Sequence, residues 1–235
     1  MASAEGSVDD ARDGPTPIEP PSKDSQLQAM HQLLELQLSL FPIFQHFTEK
    51  HHDFTRTNAA TLEVEERIFP HLTGLTLFGP HKIEYRSRTL YFVSDVYLTQ
   101  HIDFNSLESE GSSEESNFSV TFLRLGDQLS GHRGIVHGGL LATLLDEITC
   151  RLGFLNFASL RGVTANLNIN YHNPTAVNRW ICVKCTTTRK EGRKCWVRGE
   201  IYTVDQQTQS LREQELVCSC EILIIEPRWV EKLKH

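Results

Sequence analysis

The stretch from Gly131 to Glu147 constrains this chain more than any other: glycines at 131, 134, 138 and 139 run straight into Leu140-Leu141-Ala142-Thr143-Leu144-Leu145-Asp146-Glu147. It predicts a glycine-rich loop that opens a helix. Glycine lets a backbone approach its neighbour closely, and the first helical turn leaves N–H groups without intrahelical partners. Such a start attracts negative charge, standing or developing. At about 100° per residue, Leu140, Leu141, Leu144, Leu145 and Ile148 form one apolar stripe, and Asp146 points roughly the opposite way. Around Asp146 lie Ala142, Thr143, Thr149 and Cys150, small residues against which another backbone can pack. The carboxylate is then either a paired structural acid or a reactive group.

Spacing bears on that choice. Gly138 and Asp146 are eight residues apart, about 12 Å along a helix axis. One helix cannot bring both to a single reacting carbonyl. Two such helices packed antiparallel about a two-fold axis can, because the glycine start of one faces the aspartate of the other. The expectation is a homodimer, with further assembly of two dimers left open.

Charge excludes some partners. The net charge of −7 is unevenly placed: residues 1–24 hold six acids against two bases, and residues 105–117 four acids and no base. The rest carries about +1, which gives no footprint for nucleic acid. No apolar run is long enough to predict a transmembrane segment, and neither a secretory signal nor a transit peptide is recognisable. All six cysteines fall at or after Cys150, which fits a reducing compartment better than a disulfide scaffold. Cys182 and Cys185 look like a C-x-x-C pair, but a separation of three on a strand puts them on opposite faces. Cys218 and Cys220 share a face and read as small buried apolar residues. No metal or cofactor is expected, and the glycine run is neither a dinucleotide nor a Walker fingerprint.

Along the chain, residues 1–24 read as a disordered acidic tail, and 25–70 as an N-terminal helix, kinked or split at Pro42, with a linker. Residues 71–226 form the main domain, 105–117 a flexible insertion within it, and 227–235 a C-terminal tail. Strands are expected at 75–78 into 82–85, 89–98 and 118–125, then at 163–171, 180–188, 194–204 and 213–224. One long helix among mostly consecutive strands predicts an α+β fold, an antiparallel sheet wrapped around a central helix.

Residues 131–147, the strand Gly162-Val163-Thr164-Ala165-Asn166-Leu167-Asn168-Ile169-Asn170-Tyr171 and the turn Glu191-Gly192-Arg193-Lys194 resemble the hotdog-fold acyl-CoA thioesterases, particularly the mitochondrial long-chain, PaaI-like type. The resemblance covers roughly residues 115–225. It implies a hotdog fold and hydrolysis of acyl-CoA to free acid and CoA without a cofactor. By motif, the amides of Gly138 and Gly139 polarise the thioester carbonyl, Asp146 from the partner chain acts as base or nucleophile, and Thr164 assists. His137 either shapes the site or only fixes the loop. Asn170 and His172 match positions that contact CoA, while Arg189, Arg193 and Lys194 are suited to its phosphates or are ordinary solvated hairpin charges. Glu147, about 100° round the helix from Asp146, is a secondary candidate. The alternatives are a hotdog dehydratase or hydratase, which would use a histidine side chain, and a non-catalytic acyl-CoA-binding protein. A cytoplasmic location is expected from the sequence, and a mitochondrial one is implied by the resemblance. Acyl chain length stays open.

Overall fold

The structure is a computed structural model that describes residues 22–50, 61, 63–65, 72–93 and 117–232. The tail expected before residue 22, residues 105–116 of the insertion and the end of the chain past 232 lie outside the described residues.

The long helix is α3, Gly138–Phe154. Its partners, among the described residues, are the seven strands of one antiparallel sheet. In chain order they are β1 Ile83–Arg86, β2 Leu90–Phe92, β3 Phe118–Leu125, β6 Val163–Tyr171, β7 Arg179–Glu191, β8 Lys194–Thr203 and β9 Leu216–Ile225. The strands run β1-β3-β7-β8-β9-β6 across the sheet, with β2 following β1 along the same edge of β3. The small hairpin of β4 Ser130–His132 and β5 Ile135–Val136 leads into α3 and turns at Gly134, whose φ of +79° only glycine adopts freely. This is the hotdog arrangement of one helix held by a curved antiparallel sheet.

The apolar stripe of α3 is buried as its periodicity requires: Leu140, Leu144, Leu145 and Ile148 pack on Val183, Val197, Ile201 and Ile222. Gly199 on β8 permits this contact. A Cβ there would stand 2.7 Å from Thr149 Cγ2 and 2.9 Å from both Leu145 Cδ2 and Cys220 Sγ, too close for the helix to stay down.

The outer face of the sheet is covered as well. Helix α1, Lys23–Ser39, helix α2, Pro42–Lys50, and the connection between them lay Leu34, Leu38, Phe41, Ile43 and Phe47 over Phe92, Phe118, Phe122 and Trp180. Helix α1 begins two residues before the expected Ser25, because Ser22 Oγ accepts from Ser25 N at 3.2 Å and so caps it. Pro42 splits the run at the first residue of α2, where its missing N–H costs nothing. Of the strand expected at 75–78 into 82–85 only the second half forms, as β1, and Phe78 makes a single bridge to Ile83. Residues 72–76 form a single π-helical turn, closed by Leu77 N to Leu72 O at 2.7 Å, and the buried Thr73 side chain holds this turn against α3. Likewise Leu211–Glu213 is a 3-10 turn, so β9 starts at Leu216.

Strand alternation separates the C-x-x-C pair, placing Cys182 in the outer core and Cys185 in the inner one. All six thiols are free and buried. Burial pushes Cys150, Cys195 and Cys218 up to about 12 and Cys220 up to about 11, from an ordinary 9.0, and raises Cys182 and Cys185 too. Above pH 9 the unfolded chain releases protons that the folded chain keeps. This contribution is therefore complete below 9 and lost as pH rises through the folded-state values. Urea unfolding at pH 10 should show a loss, relative to pH 8, on the order of 1 kcal/mol per buried thiol. The loss should be smaller in Cys195→Ala; an identical loss in that variant would count against the thiols as its source.

Candidate active site

His137 begins the site. It stands at the N-cap of α3 in an extended conformation, and its Nδ1 accepts from Gly139 N at 2.9 Å. A Cβ at Gly139 would sit 2.9 Å from the imidazole, and one at Gly131 would sit 2.9 Å from its other edge, so these two glycines make room for the ring. Gly138 differs. An added Cβ would meet the Tyr171 ring only at 3.4 Å, an ordinary contact, so packing within the chain does not demand a glycine there. Among the described residues the Gly138 N–H has no acceptor. Of the two glycine amides singled out in the sequence, the Gly139 amide is taken by the cap and the Gly138 amide is left at the helix start, where positive potential is concentrated. Tyr171 Oη donates to Gly138 O at 2.9 Å and pins that first turn to β6.

Two turns further along α3, Asp146 is half-buried and its Oδ1 accepts from Thr164 Oγ1 at 2.7 Å. Thr164 is the second residue of β6 and is exposed. Cys150, one turn beyond Asp146, brings its Sγ to 3.3 Å from the same hydroxyl. Helix and strand thus run side by side, with Thr164 beside Asp146 at one end and Tyr171 beside Gly138 at the other.

Sheet register sorts the remaining candidates between these two ends. Lys194 pairs with Ile225, which pairs with Val163, so the hairpin between β7 and β8 lies at the Asp146 end. Asn170 pairs with Ser219 near the end of β6, at the Gly138 end, and His172 Nε2 lies 2.8 Å from Ser219 Oγ. Within one chain the candidates form two half-sites separated by about the 12 Å of helix between their centres.

The hairpin charges are partly committed. Arg189 pairs with Glu191 through Nε at 2.8 Å and lies over the Trp196 ring at 4.6 Å, while Arg193 Nη1 donates to Glu226 O at 3.0 Å. Lys194 is exposed, and among the described residues its ammonium has no partner.

Glu147 is not a spare acid. Its side chain is 9% exposed and accepts from Arg151 Nη2 at 2.6 Å, Arg86 Nη1 at 3.3 Å and the Thr73 hydroxyl. Arg151, itself 1% exposed, also reaches Glu65 Oε2 at 3.1 Å, and Tyr91 Oη donates to Glu65 Oε1 at 2.7 Å. Burial pushes the Tyr91 phenol well above its usual range, with the Glu65 charge adding to it. Burial also lowers the Arg86 guanidinium, and the neighbouring Arg151 charge lowers it further. A carboxylate held by this network is removed from the candidate base role. Sequence reading missed the network because its members are dispersed over residues 65–151; the one local signal was the i, i+4 spacing of Glu147 and Arg151. Among the described residues no cluster of three or more His, Cys, Asp or Glu could hold a metal ion, and no helix is long and apolar enough to cross a membrane.

The chain is similar in part to several known proteins. Residues 133–210, which include the glycine-led helix, Thr164 and the hairpin, match the family described as the thioesterase superfamily. A mitochondrial protein of Candida albicans (strain WO-1) is 31% identical over 120 residues, covering 49% of this chain and 52% of its own. Acyl-coenzyme A thioesterase THEM4 of Rattus norvegicus is 39% identical over 89 residues, 38% of this chain and 37% of its own. A hypothetical thioesterase from Streptococcus pneumoniae TIGR4, solved with coenzyme A, superposes with a TM-score of 0.40 at 21% identity over 47% of this chain and 81% of its own. The chain spans about half or less of the length of the first curated relatives it matches, from 28% to 52%.

Proposed function

We propose that this chain, a member of the thioesterase superfamily by its residues 133–210, hydrolyses acyl-CoA thioesters to free acid and CoA at sites shared between the two protomers of a homodimer. The observation that carries this reading is the division of the candidate residues: an unpaired Gly138 amide at one end of α3 and the Asp146–Thr164 pair at the other. Strand β6 pairs only with β9 among the described residues, so its second edge is open. Antiparallel pairing of two such edges about a two-fold axis would set the Thr164 end of one protomer against the Tyr171 end of its partner. Gly138 of one chain would then stand near the partner's Asp146.

The chemistry follows from that placement. Attack on the thioester carbon moves charge onto the carbonyl oxygen, which the Gly138 N–H, with the helix start behind it, stabilises. Asp146 either takes a proton from the attacking water or attacks the carbon itself and is then released by water. Collapse of the tetrahedral intermediate breaks the C–S bond, and CoA leaves with its thiol. Asn170, His172 and Lys194 are assigned to the CoA portion; Arg189 and Arg193 can join them through the guanidinium N–H groups that their present bonds leave over. A dehydratase using His137 as its base is disfavoured, because a neutral imidazole whose Nδ1 accepts from Gly139 N carries its hydrogen on Nε2. The mitochondrial designation of the Candida relative favours a mitochondrial location over the cytoplasm.

Thiol release from a panel of acyl-CoA esters tests the activity, and stoichiometric binding without turnover would convert the chain to an acyl-CoA-binding protein. Co-expressed Asp146→Ala and Gly138→Val chains test the shared site. Each is expected to be inactive alone, and random assembly should restore up to roughly a quarter of wild-type activity. No recovery in verified heterodimers would mean that both residues act within one chain or that one of them does not act.

A further inference from the structure

Cys150 is a buried thiol to which the chemistry above gives no role, yet it touches the site. Its Sγ lies 3.3 Å from Thr164 Oγ1, the hydroxyl that bonds Asp146 at 2.7 Å. Asp146 and Cys150 are four residues apart, so one face of α3 presents a carboxylate and a thiol to a single hydroxyl on β6. We propose that Cys150 is a positioning residue, donating its S–H to Thr164 Oγ1 so that the Thr164 hydroxyl is held with its own hydrogen on Asp146. The inference rests on the thioesterase reading for its functional consequence and on geometry for the bonds themselves.

Proton counting fixes the direction. A hydroxyl has one hydrogen to give and two lone pairs to receive with. Thr164 spends its hydrogen on the carboxylate, which as an anion can only accept. Toward Cys150 the oxygen therefore acts as acceptor, and the thiol must hold a proton. It does: burial pushes the Cys150 thiol up to about 12, the Thr164 contact pulls it down by less than burial raises it, and the negative charges of Asp146 and Glu147 raise it further. Two bonds in series polarise one another, so the thiol also makes Thr164 the better donor. Because the hydroxyl would otherwise be free to rotate toward substrate or water, Cys150 acts through Thr164 rather than on the thioester.

The test uses the whole 235-residue chain. Cys150→Ala should lower kcat about fivefold with KM unchanged, a loss typical of one modest hydrogen bond. Cys150→Ser keeps a donor and should recover most of that loss. In a Thr164→Val background, Cys150→Ala should have no further effect on the residual rate. Infrared spectroscopy supplies a readout independent of turnover: the Cys150 S–H band, assigned by its loss in Cys150→Ala, should shift to higher frequency in Thr164→Val. A wild-type kcat in Cys150→Ala, an equal loss with Thr164 removed, or an S–H band unmoved by Thr164→Val would overturn the proposal. If the wild-type chain hydrolyses no acyl-CoA, the functional reading fails, and the S–H band still decides whether the relay exists.

Discussion

Asp146→Asn should lower kcat for acyl-CoA hydrolysis on the order of a thousandfold while leaving KM and the unfolding midpoint close to wild type. The substitution keeps size, and the amide oxygen can still accept from the Thr164 hydroxyl that now bonds Asp146 at 2.7 Å. What disappears is the ability to take a proton or form a bond to carbon, and removal of such a group typically costs several decades in turnover. Substrate affinity should survive because the groups assigned to CoA, namely Asn170, His172 and Lys194, are untouched. Steady-state thiol release and urea unfolding of the same preparation check both halves. A rate within about threefold of wild type would remove Asp146 from the chemistry. Glu147 could not simply inherit the role, since three donors already hold its carboxylate.

The contrast between these two adjacent acids marks how far the sequence was legible. The apolar stripe of α3 and the period-two pattern of β6 to β9 are short-range signals, and each element formed where its pattern lay, within a few residues at the ends. Helical periodicity also put Asp146 and Glu147 on different faces. What lay beneath each face was not legible. The Thr164 hydroxyl is 18 residues from Asp146, whereas the partners of Glu147 include Arg86, 61 residues away, and Thr73, 74 away. That long-range pairing also explains the missed turn. Leu75 and Leu77 alternate as a strand requires, yet Leu72 and Leu75 are exposed, and the buried Thr73 side chain decides the local conformation of residues 72–76. The cap at His137 was hidden for a different reason. Histidine is an uncommon N-cap, and only the close fit of Gly131 and Gly139 around its ring shows why the glycines are there. The hairpin charges were readable as a cluster, but whether a guanidinium is free depends on neighbours such as Trp196 and the Glu226 carbonyl, which no local pattern supplies.

Arg151→Ala should unfold this chain far more readily than any change at Asp146, by about 3–5 kcal/mol, the usual cost of breaking a buried ion pair from one side. Against a total stability of about 5–15 kcal/mol for a domain, that is a large fraction. Arg151 is 1% exposed and bridges two acids, Glu147 at 2.6 Å and Glu65 at 3.1 Å. Removing it strands Glu147, whose side chain is 9% exposed, with Arg86 at 3.3 Å as its remaining cationic partner. Glu65, at 28% exposure, can regain water and should contribute less of the loss. Replacing both Glu147 and Arg151 by leucine removes the central pair but leaves Arg86 without Glu147. The double variant should therefore recover only part of the stability, whereas an isolated buried pair exchanged for well-packed apolar residues is often neutral or better. Urea unfolding of the two single variants and the double, referenced to Asp146→Asn, separates these cases. A loss below about 1 kcal/mol for Arg151→Ala would mean that the network behaves as solvent-screened surface pairs do, and full recovery in the double variant would show that Arg86 does not depend on Glu147.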